Sequence, residues 1–290
     1  MTEITESLVF SLLPPRTPEA HKGLYGKLLL VAGSSRYRGA AQLAAAGALR
    51  AGAGLVTLAS TERVIAAAAT ALPECTYLPL GEAVTGTIAA SSLPALLAAA
   101  ESCTALAVGC GLAQSPDTAA LVLGLAKQIR CPLLIDADGL NLLAGQLDLL
   151  KKREIPAVLT PHPGEMARLC GCTAAQVQGA REDAACSLAR QTNCVVVLKG
   201  HGTLVAAPDG RCFQNTTGGP GLAKGGSGDV LTGLIGGLLA QGLAPVDAAA
   251  CGVWLHGAAG DACASRRGAV SMLPHELLDD LCALLAARRV

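Results

Sequence analysis

Residues 27–59 read KLLLVAGSSRYRGAAQLAAAGALRAGAGLVTLA, and the order of elements in this stretch decides the fold. Residues 27–32 are a short apolar run that stops at Gly33, the pattern of a strand buried on both faces. Residues 39–52 are Ala-rich, with Leu43 and Leu49 at helical spacing, and Gly52 or Gly54 stops them. Residues 55–59 then read as a second strand. Strand, crossover helix, strand is the repeating unit of a parallel sheet.

The same alternation continues outward. A helix is expected over 64–72, ended before Pro73, and a strand over 104–108 that runs into Gly109-Cys110-Gly111. A helix over 118–130 and a strand over 132–135 ending at Asp136 follow. A strand over 157–159 ends at Thr160-Pro161, and a helix over 174–191 leads to a strand over 194–198 that ends at Lys199-Gly200. Residues 203–207 and 211–214 flank Pro208-Asp209-Gly210, a hairpin signature. Helices close the pattern over 229–241 and 246–265. The expectation is a mostly parallel sheet with helices on both faces, in one domain over residues 1–290, with residues 1–25 as a helix-bearing N-terminal extension. Polar and glycine residues gather just after the strands, where open α/β sheets form their ligand crevice.

Composition narrows the function. Of 290 residues, 51% are hydrophobic and only 15% charged, so part of the apolar surface is expected to be covered by other copies of the chain. A homotetramer is the expected assembly. Aromatic residues at 2% offer few platforms for stacking bases, and a net charge of zero argues against a nucleic-acid or anionic-membrane partner. The first ten residues carry Glu3 and Glu6 and no basic run, unlike a secretory or transit peptide, and no apolar stretch is long enough to span a membrane. A cytoplasmic location is expected. The 12 cysteines are scattered, form no C-x-x-C pair and read as reduced, small apolar residues without a zinc site.

The chemistry concentrates in residues 215–233, NTTGGPGLAKGGSGDVLTG. A glycine-rich loop, Gly225-Gly226-Ser227-Gly228, feeds a helix whose apolar residues Val230, Leu231, Leu234, Ile235, Leu238 and Leu239 keep helical spacing. Glycines allow several backbone N–H groups to converge, and the helix start adds about half a positive charge, so the loop suits a phosphate or a transferring phosphoryl group. Asp229 would repel such an anion. It makes sense as the base that takes a proton from an attacking hydroxyl, or it merely caps the helix; spacing alone leaves both open. Lys224 is no phosphate-loop lysine, because the glycine before it and the hydroxyl after it are missing.

GGSGDVLTG at 225–233 resembles the signature of the ribokinase-like kinases. LLLVAGSSRYRGAAQLAAAGALRAGAG at 28–54, DADGLNLL at 136–143, LTPHPGE at 159–165 and VVVLKGHGT at 195–203 narrow the likeness. In this order they resemble the ADP- or ATP-dependent NAD(P)H-hydrate dehydratases, from Gly26 onward. The resemblance implies a ribokinase-like three-layer α/β/α sandwich. It also implies repair of NADH or NADPH that has been hydrated on the nicotinamide ring: phosphorylation makes the hydroxyl a good leaving group, and elimination restores the dinucleotide. ADP is the expected donor, with ATP the alternative, and Mg²⁺ the expected ion. A separate NAD(P)HX epimerase is an expected working partner.

By the same resemblance Asp229 is the base, and the amides of Gly226, Ser227 and Gly228 hold the phosphoryl group. Lys199, Gly200, His201, Gly202 and Thr203 line the adenine nucleotide together with Gly228. Ala40, Gly111 and His162 contact the hydrated dinucleotide. Glu165 organises Mg²⁺ through water, helped by Asn141 at the metal or the phosphate. The corresponding motif of related kinases usually begins with Asn where this chain has His162, a departure that matches the dehydratases. Each has a plainer reading beside it: His162 as a turn residue, Lys199 as a solvated charge, Glu165 as a helix cap, Asp136 and Asp138 as turn formers, and His256 as a packed histidine next to Trp254. Two other functions stay open: a hydroxyethylthiazole- or hydroxymethylpyrimidine-type kinase, and a nucleotide-binding regulator without catalysis.

Overall fold

The structure, a computed structural model, describes residues 1–287. Ten strands form one sheet: β1 (Thr2–Glu3), β2 (Lys27–Val31), β3 (Leu55–Thr61), β4 (Thr76–Leu80), β5 (Ala105–Val108), β6 (Leu133–Ile135), β7 (Ala157–Leu159), β8 (Cys194–Leu198), β9 (Leu204–Ala206) and β10 (Cys212–Gln214). Their spatial order is β1-β10-β9-β8-β7-β6-β5-β2-β3-β4. Every pairing is parallel except the two made by β9, which runs antiparallel to β8 and to β10. The opening stretch behaves as its sequence requires: β2 pairs in register with β3, Leu28 opposite Val56, with helix Arg38–Arg50 as the crossover.

Apolar runs at the centre of the sheet are continuous because both faces are covered. Leu28 and Leu30 join one core cluster with helices Arg38–Arg50, Ser227–Ala240 and Pro245–Arg267. Leu29 and Val31 join the other, with helices Pro116–Gln128, Pro163–Cys170 and Arg181–Thr192. On the first face the helices Arg38–Arg50 and Ser227–Ala240 touch backbone to backbone. A Cβ on Gly233 would lie 2.0 Å from the Ala44 carbonyl oxygen, so only glycine permits this approach. That contact brings the glycine-rich loop to the middle of the sheet edge.

Several elements depart from the sequence expectation. β4 holds Pro79, tolerated because the strand is at the sheet's edge. Helices Leu93–Ala100 and Leu277–Ala287 had no marked signal. The single helix expected over 174–191 is two, Ala174–Gly179 and Arg181–Thr192, broken at Ala180. The break lets Arg181 reach the carbonyls of Leu198 at 3.1 Å and Lys199 at 3.4 Å. Asp138 opens a short helix, Asp138–Leu143, instead of a simple turn, and Ala137 before it has φ +50°, a strained conformation for a residue with a side chain.

Candidate active site

Strands β2, β5, β6, β7 and β8 run parallel, so their carboxyl ends share one edge. The segments leaving them carry Gly33, Gly111, Asp136, His162 and Lys199. Helix Ser227–Ala240 starts at this edge. Gly226 precedes it with φ +101°, a left-handed conformation that glycine adopts without steric cost. The amide of Ser227 turns back to the Lys224 carbonyl at 3.2 Å. The amides of Gly226, Gly228 and Asp229 have no backbone acceptor among the described residues, so they are the free donors of the helix start. Of the three amides expected from the sequence, Gly226 and Gly228 are thus free and Ser227 is engaged, and the Asp229 amide is free as well.

Two cavities flank this turn. One, of about 460 Å³, is lined by Lys199, Gly200, His201, Thr203, Ser227 and Gly228, with Asn215, Thr217 and His256 among its further walls. The other, of about 530 Å³, is lined by Arg36, Tyr37, Arg38, Ala40, Gly111 and Asp229, with Asp138, Gly225 and Gly226. The residues expected to take a nucleotide and those expected to take the second substrate thus fall on opposite sides of the turn. Gly202 and His162 line neither cavity among the described residues.

The carboxylates divide just as clearly. Asp136 is buried; Lys199 Nζ lies 2.8 Å from its Oδ1, and Thr232 Oγ1 donates to its Oδ2 at 2.7 Å. Burial alone would raise its pKa. The Lys199 charge and the hydrogen bonds from Lys199, Thr232 and Thr160 overcome that and hold it below the ordinary value. Lys199 is raised in turn: burial pulls it down, and Asp136 and Glu165 more than offset that. Glu165 lies 3.8 Å from Lys199 Nζ and is raised, by burial first and with Asp136 adding to the rise.

Asp229 has no ion-pair partner among the described residues. It is the third residue of its helix, not the cap, and makes no capping bond. Burial, then the charge of Asp136, pushes its pKa up to about 6, against weaker help from the Cys110 thiol and Lys199. A carboxylate with that pKa is mostly ionised at neutral pH and basic enough to take a proton. The Cys110 thiol, itself raised well above its usual range by burial and the two aspartates, stays protonated.

Two plainer readings describe the geometry directly. His162 caps helix Pro163–Cys170: its Nδ1 accepts from the Gly164 amide at 3.0 Å, while Glu165 Oε2 accepts from the His162 amide at 2.8 Å. The plain readings of Lys199 and Asp136 do not, since the two form a buried ion pair. His256 is buried, as expected of a packed residue, and burial pushes its pKa down to about 4, yet it also forms part of a cavity wall. Asn141 Oδ1 accepts a hydrogen bond from Arg168. Sequence reasoning missed Thr232, Arg181 and the wall formed by Arg36, Tyr37 and Arg38. A lone hydroxyl inside the apolar run 230–239 was the available signal for Thr232; the others depend on distant contacts.

No cluster of three His, Cys, Asp or Glu side chains suited to a metal occurs among the described residues. An ion here would have to draw most of its ligands from phosphate oxygens and water, as Mg²⁺ does at nucleotide sites. The acidic groups beside Lys199 suit that arrangement through water, because their own oxygens are already hydrogen-bonded.

A parallel sheet with a glycine-built helix start at its carboxyl edge, and a carboxylate beside it, is the ribokinase-like architecture. A ribokinase-like superfamily protein of Enterococcus faecalis superposes with a TM-score of 0.84 at 25% identity, over 99% of this chain and 96% of that one. The chain belongs to the NAD(P)H-hydrate dehydratase family, whose model matches residues 28–282. The ADP/ATP-dependent NAD(P)H-hydrate dehydratase of Bacillus subtilis, co-crystallised with ATP and Mg²⁺, superposes with a TM-score of 0.84 at 36% identity, over 100% of this chain and 99% of that one. The curated ADP-dependent (S)-NAD(P)H-hydrate dehydratase of B. subtilis is 40% identical over 96% of this chain and 95% of its own length. The bifunctional NAD(P)H-hydrate repair enzyme of Moorella thermoacetica is 46% identical over 96% of this chain, but this chain spans only 52% of it.

Proposed function

We propose that this protein restores NADH and NADPH from their (6S)-hydrated forms, using ADP and releasing AMP and phosphate. One observation carries the reading: a partly buried carboxylate with a pKa of about 6 lines one cavity beside free helix-start amides, across the turn from a second cavity. ADP occupies the cavity of Lys199, Gly200, His201, Thr203 and Gly228, with Gly202 in the same loop, and directs its terminal phosphate at the turn. The hydrated ring occupies the cavity of Ala40, Gly111 and Asp229, with His162 at its margin. Asp229 takes the proton of the ring hydroxyl as its oxygen forms a bond to the terminal phosphorus and the bond to the AMP oxygen breaks. The free amides stabilise the charge on the transferring group. The ring carbon–oxygen bond then breaks, phosphate leaves with the electron pair, and loss of a proton from the adjacent ring carbon restores the double bond.

Mg²⁺ bound to the phosphates would neutralise charge as it builds up there. Glu165 would hold the ion through water, and Asn141 would join only by exchanging its contact with Arg168. The whole chain, 1–290, works as one catalytic domain, in a cytoplasmic homotetramer, alongside a separate NAD(P)HX epimerase that interconverts the two hydrate epimers. The B. subtilis relative supports ADP as donor by its name. The hydroxyl-kinase alternative shares the turn but keeps its phosphorylated product, and a regulator without catalysis has no use for a base at Asp229.

The test is recovery of absorbance at the NADH band when protein, Mg²⁺ and ADP are added to hydrated NADH, with ATP run in parallel. Recovery with ADP supports the reading. No recovery with either nucleotide, together with phosphorylation of a thiazole alcohol, would replace it with the kinase.

A further inference from the structure

The wall of the Asp229 cavity carries two cations that the reaction chemistry leaves unexplained. Arg36 and Arg38 line it, separated by Tyr37, and both arginines are exposed. Neither is within ion-pair distance of a carboxylate among the described residues. Arg38 spends only its Nε, on the Ser35 carbonyl at 3.1 Å, which leaves its two terminal amino groups free. The Arg36 guanidinium lies 5.3 Å from the centre of the Tyr37 ring. The other acidic group of the wall, Asp138, is already committed: its Oδ2 accepts from the Ala113 amide at 2.9 Å and its Oδ1 from Gln114 at 3.2 Å.

The segment bearing these arginines is exposed yet well anchored. The Ser35 amide donates to Gly86 O at 2.8 Å, the Tyr37 amide to Ser34 O at 3.1 Å, and Ser34 Oγ to Gly111 O at 2.8 Å. A Cβ on Gly111 would lie 2.7 Å from Tyr37 Cβ, so the two loops are in close contact. The guanidinium groups are therefore presented from a fixed base at the mouth of the cavity, beside a carboxylate that must itself stay unpaired to act as a base. Planar guanidinium forks match phosphate oxygens in pairs.

We propose that Arg36 and Arg38 bind the diphosphate bridge of the hydrated dinucleotide and so determine that the enzyme acts on dinucleotides in preference to smaller hydrated nicotinamides. The inference rests on the function proposed above. With the ring hydroxyl at Asp229, the rest of the substrate must leave past this wall, and its negative charges meet the uncommitted cations that line the cavity among the described residues. The 2′-phosphate plays no part, so hydrated NADH and hydrated NADPH depend on the pair equally.

The experiment compares wild type with the Arg36→Ala/Arg38→Ala double variant on three substrates: hydrated NADH, hydrated NADPH and the hydrate of reduced nicotinamide riboside, which has no phosphate. The expected result is a KM at least ~10-fold higher for both dinucleotides, with kcat changed less than ~2-fold, the signature of lost uniform binding. The KM for ADP and the kcat/KM for the riboside hydrate stay as in wild type. Added salt raises the wild-type KM for the dinucleotides and has little effect on the variant. Unchanged dinucleotide KM values overturn the proposal, as does an equal loss with the riboside hydrate, which would mean a structural role, or a loss confined to hydrated NADPH, which would mean the 2′-phosphate is the ligand. Failure of the wild type to repair any hydrate is a separate outcome and removes the proposed function itself.

Discussion

Asp136 and Asp229 share the carboxyl edge of the sheet, both largely withdrawn from water, and their acidities are driven in opposite directions. Asp136 has Lys199, Thr232 and Thr160 around it and is held below the ordinary carboxylate value. Asp229 has burial and the repulsion of Asp136, with only weaker help from the Cys110 thiol and the more distant Lys199 charge, and rises to about 6. The same side chain is thus a paired anchor in one place and, in the function proposed above, the base in the other. What separates them is compensation: a buried charge with a cation and two hydroxyls is a structural element, and one left without them is reactive.

The widest gap between the two is expected in turnover. Asp229→Asn should lower kcat by at least ~10²-fold while nucleotide binding persists, the scale of a lost general base. Near-normal turnover would make Asp229 as structural as Asp136. In the wild type, kcat/KM should hold above the pKa of about 6 and fall roughly tenfold per pH unit below it, because the base must be ionised. A pH profile flat to well below that value would contradict the assignment.

Lys199→Met probes the other partner. It strands Asp136 as an uncompensated buried charge and should cost about 3–5 kcal/mol of stability at neutral pH, read by urea unfolding. Because Asp136 is depressed in the folded state, its contribution is present above the unfolded value near 3.8 and is lost as pH falls through the lower folded value. The gap between variant and wild type should therefore narrow in acid. A gap that is the same at all pH values would show that packing, not charge, is what Lys199 contributes.

The smallest effect expected separates the two aspartates by sign. Asp229 is raised, so its contribution is fully present below the unfolded value of 3.8 and lost as pH rises through about 6; at neutral pH the ionised group destabilises the fold. Asp229→Asn should raise stability at pH 7–8 by on the order of 1–2 kcal/mol, with the gain vanishing toward pH 4. Thermal unfolding across that range measures it, and destabilisation by this substitution would mean that Asp229 has a partner as Asp136 does.

Legibility in the sequence followed the range of the interactions. β2, β3, β5 and β8 were readable because a strand covered on both faces carries a mostly apolar run instead of an alternating one. β4 was not, since an edge strand holding Pro79 is half-exposed and loses its pattern. The glycine-rich loop and Asp229 were readable because a helix start and the acid in its first turn are local features. Asp136 read as a turn former, because the residues that make it an anchor lie 63 and 96 positions away in Lys199 and Thr232.

The order of strands and helices, the glycines that leave amides free, and the residue types at each strand end were written in the sequence by itself, because burial pattern and backbone freedom are properties of neighbours along the chain. Tertiary structure alone decided which of two aspartates at the sheet edge is buried against a lysine, on which side of the turn each cavity lies, and that Arg36 and Arg38 have no acidic partner among the described residues. Those are matters of distance between segments far apart in sequence, and electrostatic energy depends on separation in space.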